Sequence, residues 1–352
     1  MSDRTAGTAA ERDLARRGLL PQGVVGDAAM AFMESAFPPG VDRYRGALIG
    51  GACGDALGRP VEGRPPEQIR ARYGALEDLQ PDPQGSIGTF TDDTQLTLWT
   101  AEALLEDTEE HPGLFGRSLA ERFYSIRGIG TATRTAIERL RDGVPWWQSG
   151  VESAGNGVAM RVAPLGLAFG NDLDALRRET ARNAVVTHAD RLAVASGIMQ
   201  AYAVARLSRT EPGSLDAGDF IDELIAVVVG LEDAGGVERK EGARERIRLV
   251  DRIIEIPGML DLDPAEAFAH TYNGAFVLES LPAALWAFLA HAEDAERAIV
   301  VAVNGGYDAD TVGAMTGTLA GAYLGETALP SRWVSQVDGI DEIGVVAERL
   351  YR

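Results

Sequence analysis

Cysteine, basic residues and long apolar runs are all scarce in this chain, and each shortage excludes a class of protein. The single cysteine, Cys53, rules out an intramolecular disulfide and fits a reducing compartment. With 33 basic against 53 acidic residues, the formal net charge of -20 argues against general nucleic-acid binding and against attraction to an anionic membrane. No run of about eighteen apolar residues is present, and the N-terminus lacks the apolar region of a signal peptide. We therefore expect a cytoplasmic protein with no membrane or nucleic-acid partner.

Apolar residues with helical spacing dominate what remains. They make up 45% of the 352 residues, enough for a sizeable core. Sustained alternation of period two is hard to find, so the chain is predicted to be all-α, with one compact domain over residues 42–352. Residues 1–41 are an N-terminal extension of uncertain order, with a short helical stretch at 9–20, and residues 232–241 are predicted to form an exposed loop. Besides helices near 46–58 and from residue 92 onward, helices are predicted at 116–125, 131–141, 158–169, 172–184, 190–207, 217–230, 242–256, 264–270, 276–290, 293–303 and 311–324.

Glycines recur every four residues near both ends of the predicted domain. They stand at positions 46, 50, 54 and 58, and again at 313, 317 and 321. This spacing places them on one face of a helix and leaves a groove for another backbone. Because each glycine costs a helix about 1 kcal/mol relative to alanine, a close contact must compensate. We predict that the two helices pack against each other in the core; the alternative is that each packs against a different helix.

Two carboxylate-rich turns stand at the starts of predicted helices. They are Thr91-Asp92-Asp93 and Asp308-Ala309-Asp310-Thr311. The ordinary interpretation of each is a helix cap, in which Asp and Thr accept from free N–H groups. Adjacent aspartates repel each other, however, unless a positive charge lies nearby. Together the turns supply four carboxylates and two hydroxyls, a set suited to one or two Mg²⁺ or Mn²⁺ ions, and this metal interpretation is favoured.

Three further turns before helices carry weaker signals. They are Gly155-Asn156-Gly157, Thr187-His188 and Arg127-Gly128-Ile129-Gly130. A Gly-x-Gly turn at a helix start can offer backbone N–H groups to a phosphate, but glycine turns before helices are common. A histidine at a helix start is more often a cap or a packed surface residue. Taken singly, none of these turns identifies a site.

In combination, the motifs resemble those of the ADP-ribosylglycohydrolase family. They occur in the family's order and at suitable distances: Gly-Asp-Ala-Leu-Gly (54–58), Thr-Asp-Asp-Thr (91–94), Gly-Asn-Gly-x-x-Met-Arg (155–161), Thr-His (187–188) and Asn-x-Gly-x-Asp-x-Asp-Thr (304–311). The set is highly specific, and the resemblance covers about residues 42–351. It implies an all-α fold with two metal ions, usually magnesium or manganese, and removal of ADP-ribose from a modified protein side chain or a small ADP-ribosylated molecule. In the family the metals hold and polarise the hydroxyls of the ribose joined to the modified residue, and water cleaves the anomeric bond.

The resemblance also implies roles for particular residues. The implied metal ligands are Thr91, Asp92, Asp93, Asp308, Asp310 and Thr311. Glu62 matches a glutamate on a mobile loop of serine-directed members, where it touches the metal site or the attacking water; the alternative is a solvated loop acid. Positions that cradle the diphosphate and the riboses are matched by Gly128, Ser153, Gly155, Asn156, Gly157 and His188.

Two departures from the family pattern bear on the substrate. Many arginine-directed members carry Asp-Ile-Gly where this chain has Gly128-Ile129-Gly130, and that aspartate is thought to meet the guanidinium. The turn here is closer to the Arg-Gly-Tyr-Gly of serine-directed or O-linked-directed members. Thr133-Arg134, in contrast, looks like the bacterial arginine-directed branch. The resemblance therefore leaves open which acceptor side chain carries the ADP-ribose. Tyr307 stands where a glycine is usual and is expected to narrow the site beside the metals.

Two other functions remain as alternatives to an ADP-ribosyl hydrolase. The family includes members that have lost activity, among them lens crystallins, and these show erosion of the metal aspartates. All four aspartates are intact here, which favours an enzyme over an inactive ADP-ribose-binding protein. The second alternative is a metal-dependent hydrolase of another nucleotide or glycoside.

Overall fold

The chain folds almost entirely as helices, as predicted for an all-α protein. The structure, a computed structural model, describes residues 3–21, 23, 25, 29, 38–82, 84–231, 237–238 and 246–352. In chain order the α-helices of this part, α1 to α18, are Asp3–Arg16, Val41–Gly58, Pro66–Tyr73, Asp92–Glu106, His111–Glu121, Thr131–Arg141, Trp146–Ser149, Ala163–Phe169, Leu173–Ala184, Arg191–Leu207, Ala217–Val227, Leu249–Ile253, Pro264–Thr271, Val277–Leu289, Ala295–Asn304, Ala309–Leu324, Ser331–Val334 and Ile340–Tyr351. Two strands, β1 Val237–Glu238 and β2 Arg246–Ile247, pair antiparallel with Val237 opposite Ile247.

Short 3₁₀ segments complete the architecture. They are Arg59–Val61, Phe123–Ser125, Ala159–Arg161, Ile256–Met259 and Glu326–Ala328. The first directly follows α2 and is followed by Glu62, and the third lies between the Gly155-Asn156-Gly157 turn and α8. These tight turns therefore bracket two of the predicted site segments.

Most predicted helices are present, with shifts at their ends. The helix predicted at 116–125 begins earlier, at His111, because Pro112 starts it at its first turn. The helix predicted at 242–256 is shorter, since residues 246–247 form a strand and 242–245 lie outside the described residues. The amphipathic helix α18 was not predicted; its buried positions Ile343 and Ala347 are four residues apart.

The two glycine-faced helices, α2 and α16, pack directly against each other. Gly54 faces Gly313, Gly50 faces Gly317, and a Cβ added at any of these four positions would come under 3.0 Å from the partner backbone. At Gly313 the added atom would lie 2.7 Å from the carbonyl oxygen of Gly54. The predicted pairing is therefore confirmed, and the alternative of separate partners is wrong. The crossing joins the two ends of the domain in its core.

The described part of the N-terminal extension packs on this core. Leu14 and Leu19 are buried, and Arg17 donates to the carbonyl of Trp147 at 3.0 Å. The helix predicted at 9–20 is α1, which runs four residues less far toward the C-terminus. Most of the loop predicted at 232–241 lies outside the described residues, and its described part belongs to β1. No described helix is long and apolar enough to cross a membrane.

Candidate metal centre and substrate cavity

A cluster of buried carboxylates forms where α2, α4 and α16 meet. Asp55 lies on α2, Asp93 in the first turn of α4 and Asp310 in the first turn of α16. One carboxylate oxygen of each lies within 4.8 Å of the others. A second group with the same spacing joins Asp310 to Asp308 and Glu62. The close approach of the glycine faces brings these carboxylates together from positions more than two hundred residues apart.

None of the paired-motif aspartates serves as a helix cap. Thr91 caps α4, because its Oγ1 accepts from the N–H of Asp93 at 3.3 Å. Asp308 stands at the N-cap position of α16 but makes no capping bond, and its Oδ2 accepts from Nδ2 of Asn156 instead. The cap interpretation therefore holds for Thr91 alone, and the aspartates are left for another role.

Two oxygens at the centre of the cluster have no donor. Oδ2 of Asp93 accepts from the hydroxyls of Thr91 at 2.9 Å and Thr311 at 3.3 Å, but Oδ1 of Asp93 finds no partner among the described residues. Oδ1 of Asp310 is likewise buried without a donor. Leaving a buried charged acceptor unsatisfied is costly, so such groups call for a missing partner.

Burial and mutual repulsion oppose ionisation of the cluster. Loss of solvent raises the pKa of Asp92 to about 7, with further increases from the charges of Asp55, Glu62 and Asp308. Burial likewise raises the pKa of Asp55 and that of Asp308 to about 6 each. The pKa values of Asp93 and Asp310 rise well above their usual range, again chiefly through burial and then through neighbouring carboxylates. A bound cation would reverse this balance, because it supplies the positive charge that the cluster lacks.

These residues fit a hard divalent cation. Every donor atom in the cluster is an oxygen: the carboxylate oxygens without donors, the close carboxylates on two sides of Asp310, and the adjacent hydroxyls. Such a set suits Mg²⁺ or Mn²⁺ rather than a soft metal. The side chains that could hold such ions are Glu62, Thr91, Asp92, Asp93, Asp308, Asp310 and Thr311.

A cavity of about 320 Å³ opens onto the carboxylate cluster. Of the thirteen residues singled out from the sequence, twelve line it: Glu62, Asp92, Asp93, Gly128, Ser153, Gly155, Asn156, Gly157, His188, Asp308, Asp310 and Thr311. Thr91 is the exception, and its hydroxyl donates to Oδ2 of Asp93, which does line the cavity, at 2.9 Å. Residues from six separate motifs thus meet in one place.

The turn before α6 and the first residues of α6 form another part of the cavity wall. Gly130 precedes α6 and makes no side-chain cap, and no described residue accepts from the first-turn N–H groups of Thr131, Ala132 and Thr133. The N–H groups at the N-terminus of α6 can therefore donate hydrogen bonds to an anion. Gly128 adopts φ +78°, and a Cβ there would lie 3.3 Å from Oδ1 of Asp92.

The Gly155-Asn156-Gly157 turn does less for an anion than its sequence suggests. The N–H of Asn156 donates to the carbonyl of Ala275 at 3.0 Å, and that of Gly155 to Oγ of Ser153 at 3.3 Å. The glycines serve instead to admit His188, since a Cβ at Gly157 would lie 2.7 Å from Cε1 of the imidazole. The N–H groups of Gly155 and Asn156 are therefore already used within the protein, unlike those of Thr131, Ala132 and Thr133, for which no described residue is an acceptor.

His188 is neutral at physiological pH. Burial lowers its pKa to about 3, and the nearby Arg161 guanidinium adds to the effect. Its Nδ1 lies 2.8 Å from Oγ1 of Thr187, which fixes the ring orientation. Arg161 is itself fully buried and donates to the carbonyls of Gly157 and Asn183. His188 can therefore offer a hydrogen bond but no positive charge to a ligand. Arg161 stabilises the neighbouring glycine turn through its bond to the carbonyl of Gly157.

Comparison with known proteins identifies the family. The profile described as ADP-ribosylglycohydrolase matches residues 38–352. The chain belongs to the ADP-ribosylglycohydrolase family. It is 29% identical to ADP-ribosylhydrolase ARH3 of Mus musculus over 89% of this chain and 92% of that one. It is also 29% identical to ADP-ribosylarginine hydrolase Tri1 of Serratia proteamaculans, over 88% of this chain and 79% of that one.

A solved structure agrees with this assignment. The chain superposes on an ADP-ribosylglycohydrolase-related protein complex with a TM-score of 0.68 and 33% identity, over 89% of this chain and 98% of the other. The expected fold of the family is thereby confirmed.

Sequence reasoning left one buried acid out of this glycohydrolase-family site. Asp55 accepts from the N–H of Thr91 at 2.8 Å, and its Oδ2 accepts from the N–H of Thr94 at 3.0 Å and the Thr94 hydroxyl at 2.6 Å. It thus orients the start of α4 while contributing charge to the cluster. The sequence did contain a signal for Asp55. It lies inside a glycine-faced helix that was predicted to be buried, and burying a carboxylate is costly unless it has partners.

Tyr307 differs from its expected placement. It lines a neighbouring cavity and is not among the residues that line this one. Its backbone adopts φ +53°, a left-handed conformation in which glycine is the unstrained residue.

The carboxylate cluster predicts how stability of the metal-free protein depends on pH. The folded carboxyls have pKa values raised above the unfolded value of about 3.9, so the folded state binds more protons and stability falls as pH rises through their range. Burial lowers the pKa of His111 and of His188, which gives the opposite slope, but only below the unfolded histidine pKa of about 6.5. Between about pH 6.5 and 8 the carboxyls dominate.

With EDTA, we therefore expect a lower urea midpoint at pH 8 than at pH 6.5. Saturating Mg²⁺ should abolish or reverse the difference, because the ion binds the ionised carboxylates. A midpoint that rises with pH in EDTA would contradict the proposed repulsion.

Proposed function

We propose that the protein is a metal-dependent ADP-ribosyl hydrolase that releases ADP-ribose from an O-linked acceptor, such as a modified serine side chain. The observation that carries this proposal is a pair of buried carboxylate oxygens, on Asp93 and Asp310, that line the cavity and have no donor among the described residues. Family membership supports the reaction class, and the all-oxygen donor set favours two Mg²⁺ or Mn²⁺ ions.

The proposed substrate pose follows from the charges along the cavity. We place the diphosphate against the N-terminus of α6, because Thr131, Ala132 and Thr133 line the cavity and no described residue accepts from their N–H groups. The distal ribose then points toward the carboxylate cluster. When bound there, the ions would hold and polarise the ribose hydroxyls.

Glu62 is the group best placed to act as the general base that accepts a proton from the attacking water. It is exposed and sits in the turn that follows the 3₁₀ segment Arg59–Val61, with one carboxylate oxygen within 4.8 Å of ligand atoms of Asp308 and Asp310. Acting as general base, it takes a proton from the water that attacks the anomeric carbon and returns it to the acceptor oxygen as the bond from that carbon breaks. The products are ADP-ribose and a free hydroxyl.

The preference for an O-linked acceptor rests on Gly128. An arginine acceptor would call for a carboxylate to meet its guanidinium, because bidentate ion pairs are the strong contacts of that group. Gly128 offers none, and the cavity's carboxylates belong to the proposed metal set. Arg134 cannot take the place of that carboxylate, because it carries the same positive charge as an arginine acceptor; its guanidinium lies 5.7 Å from the ring centre of Phe123.

The test is a panel of defined linkages. Peptides modified on serine or on arginine, and O-acetyl-ADP-ribose, are incubated with the protein in Mg²⁺ or in EDTA, and free ADP-ribose is quantified by chromatography. We expect release from O-linked substrates to be about tenfold faster or more than from the arginine-linked peptide, the equivalent of one lost charge-assisted contact. Release in EDTA should be near background.

The same panel separates the alternatives. Faster release from the arginine-linked peptide would overturn the acceptor assignment. Tight ADP-ribose binding by calorimetry with no release from any linkage would identify an inactive binder, and release only from other nucleotides or glycosides would exclude ADP-ribosyl hydrolysis.

A further inference from the structure

A second cavity, of about 450 Å³, lies next to the carboxylate cavity. Three chain segments separate the two, and each passes from one cavity to the other. Glu62, Ala275 and Asp308 line the carboxylate cavity. Their near neighbours Pro66, Asn273 and Tyr307 line the second. We call residues 62–66, 272–275 and 304–308 the partition.

Backbone hydrogen bonds tie the partition into one unit. The N–H of Gly63 donates to the carbonyl of Tyr307 at 2.6 Å, and the N–H of Tyr307 donates to the carbonyl of Arg64 at 2.7 Å. The N–H of Asp308 donates to the carbonyl of Asn273 at 2.9 Å. The segment carrying Glu62 is therefore fixed to the wall of the second cavity.

Backbone strain is concentrated on the partition. Tyr272 and Tyr307, with φ +61° and +53°, are the only non-glycine residues with positive φ in the described part of the chain. Such conformations cost of order 1 kcal/mol or more and persist where surrounding structure enforces them, often at ligand-binding sites. Their rings lie 4.7 Å apart with an interplanar angle of 32°. Both side chains line the second cavity, so the two strained residues form an aromatic wall there.

The second cavity also carries unpaired positive charge, although the protein as a whole is strongly acidic. Arg70 on α3 and Arg297 on α15 line it and are exposed, and neither forms an ion pair with a described residue. Nearby Arg332, in contrast, pairs with Asp78 and Glu296. One carboxylate, Glu67, lines the cavity as well. An aromatic wall with two guanidinium groups that pair with no described carboxylate suits a peptide that carries acidic side chains.

We propose that this cavity binds the acceptor polypeptide on the leaving-group side of the scissile bond, with a preference for acidic residues near the modified side chain. The inference rests on the proposed function. In the distal ribose, the carbon bearing the diphosphate and the carbon bearing the acceptor lie at opposite ends of the sugar. With the diphosphate at α6 and the anomeric carbon beside Glu62, the acceptor emerges at the partition, and the second cavity receives its flanking residues.

The test compares peptides with a small substrate. Two serine-ADP-ribosylated peptides of equal length are used, one with Asp and Glu beside the modified serine and one with Asn and Gln. ADP-ribosyl-serine, which has no flanking residues, serves as the small substrate. Arg70→Glu and Arg297→Glu are assayed with all three, and Arg72→Glu is the matched control, since Arg72 is exposed on α3 but does not line the cavity.

We expect Arg70→Glu and Arg297→Glu each to raise KM for the acidic peptide about fivefold, the upper range for an exposed ion pair, with kcat unchanged. The effect on the neutral peptide should be smaller, and kcat/KM for ADP-ribosyl-serine should stay at the wild-type value. Arg72→Glu should change none of these at physiological salt, where charges more than about 8 Å apart are screened.

Two results would overturn the inference while leaving the proposed function intact. One is an unchanged KM for the acidic peptide in both cavity variants. The other is an equal loss with ADP-ribosyl-serine, which would assign the cavity to ADP-ribose itself. If the wild-type protein released ADP-ribose from none of the substrates, the proposed function would fail and the inference with it.

Discussion

Replacing Asp310 with Asn is expected to abolish turnover and, at the same time, to stabilise the metal-free protein. Asp310 belongs to both carboxylate groups, with Asp55 and Asp93 on one side and Glu62 and Asp308 on the other. Losing it removes a ligand that both proposed metal positions share, so we expect kcat/KM to fall about 10³-fold or more, the scale of several kcal/mol of transition-state stabilisation. Losing its buried charge also removes repulsion that opposes folding when no metal is present.

The two effects have opposite signs, and this makes the measurement decisive. The thermal midpoint in EDTA at pH 8 should be higher for Asp310→Asn than for the wild type, and the gain in midpoint on adding Mg²⁺ should shrink. Asp261→Asn, at an exposed position in a turn outside the helices, is the control and should change neither quantity. A variant with wild-type release of ADP-ribose would show that the assigned centre is wrong.

The sequence predicted that the site residues come together, because each motif is recognisable from a few neighbouring residues. The paired aspartates stand out as acids with no cation beside them, and the glycine spacing supplies a reason for two distant helices to touch. Twelve of the predicted residues line one cavity as a result. Their roles in metal and substrate binding stay predictions that the Asp310 and linkage experiments test.

What the sequence did not reveal depends on three-dimensional neighbours. Asp55 belongs to the Gly-Asp-Ala-Leu-Gly motif, but the motif does not reveal its contacts, because Thr91 and Thr94 donate to it from the start of α4. Tyr307 was expected to narrow the metal site, but its hydrogen bonds to residues 63 and 64 hold it in the wall of the second cavity. The aromatic pair with Tyr272 joins residues 35 positions apart, which no short motif records.

The largest effect on stability is expected at the helix crossing that builds the site. Gly54→Ala should improve the intrinsic helix propensity of α2 by about 1 kcal/mol. The new methyl would, however, come under 3.0 Å from the backbone of Gly313, which is rigid and part of α16. Overpacking of a tight core typically costs 1–3 kcal/mol and more where backbones must separate, so we expect a net loss of about 3 kcal/mol in the free energy of unfolding.

Urea unfolding of the variant measures this loss, and Gly258→Ala provides the control. At Gly258 an added Cβ meets no atom within 4 Å and φ is not positive, so that substitution should leave stability within about 0.5 kcal/mol. Because Asp55 follows Gly54 directly and Asp310 lies in the first turn of α16, separating the helices should also move these carboxylates apart. We therefore expect Gly54→Ala to weaken the stabilisation by Mg²⁺ even at temperatures where it is folded. A variant as stable as the wild type would mean that the crossing tolerates a wider spacing and that the glycines are not what brings the carboxylates together.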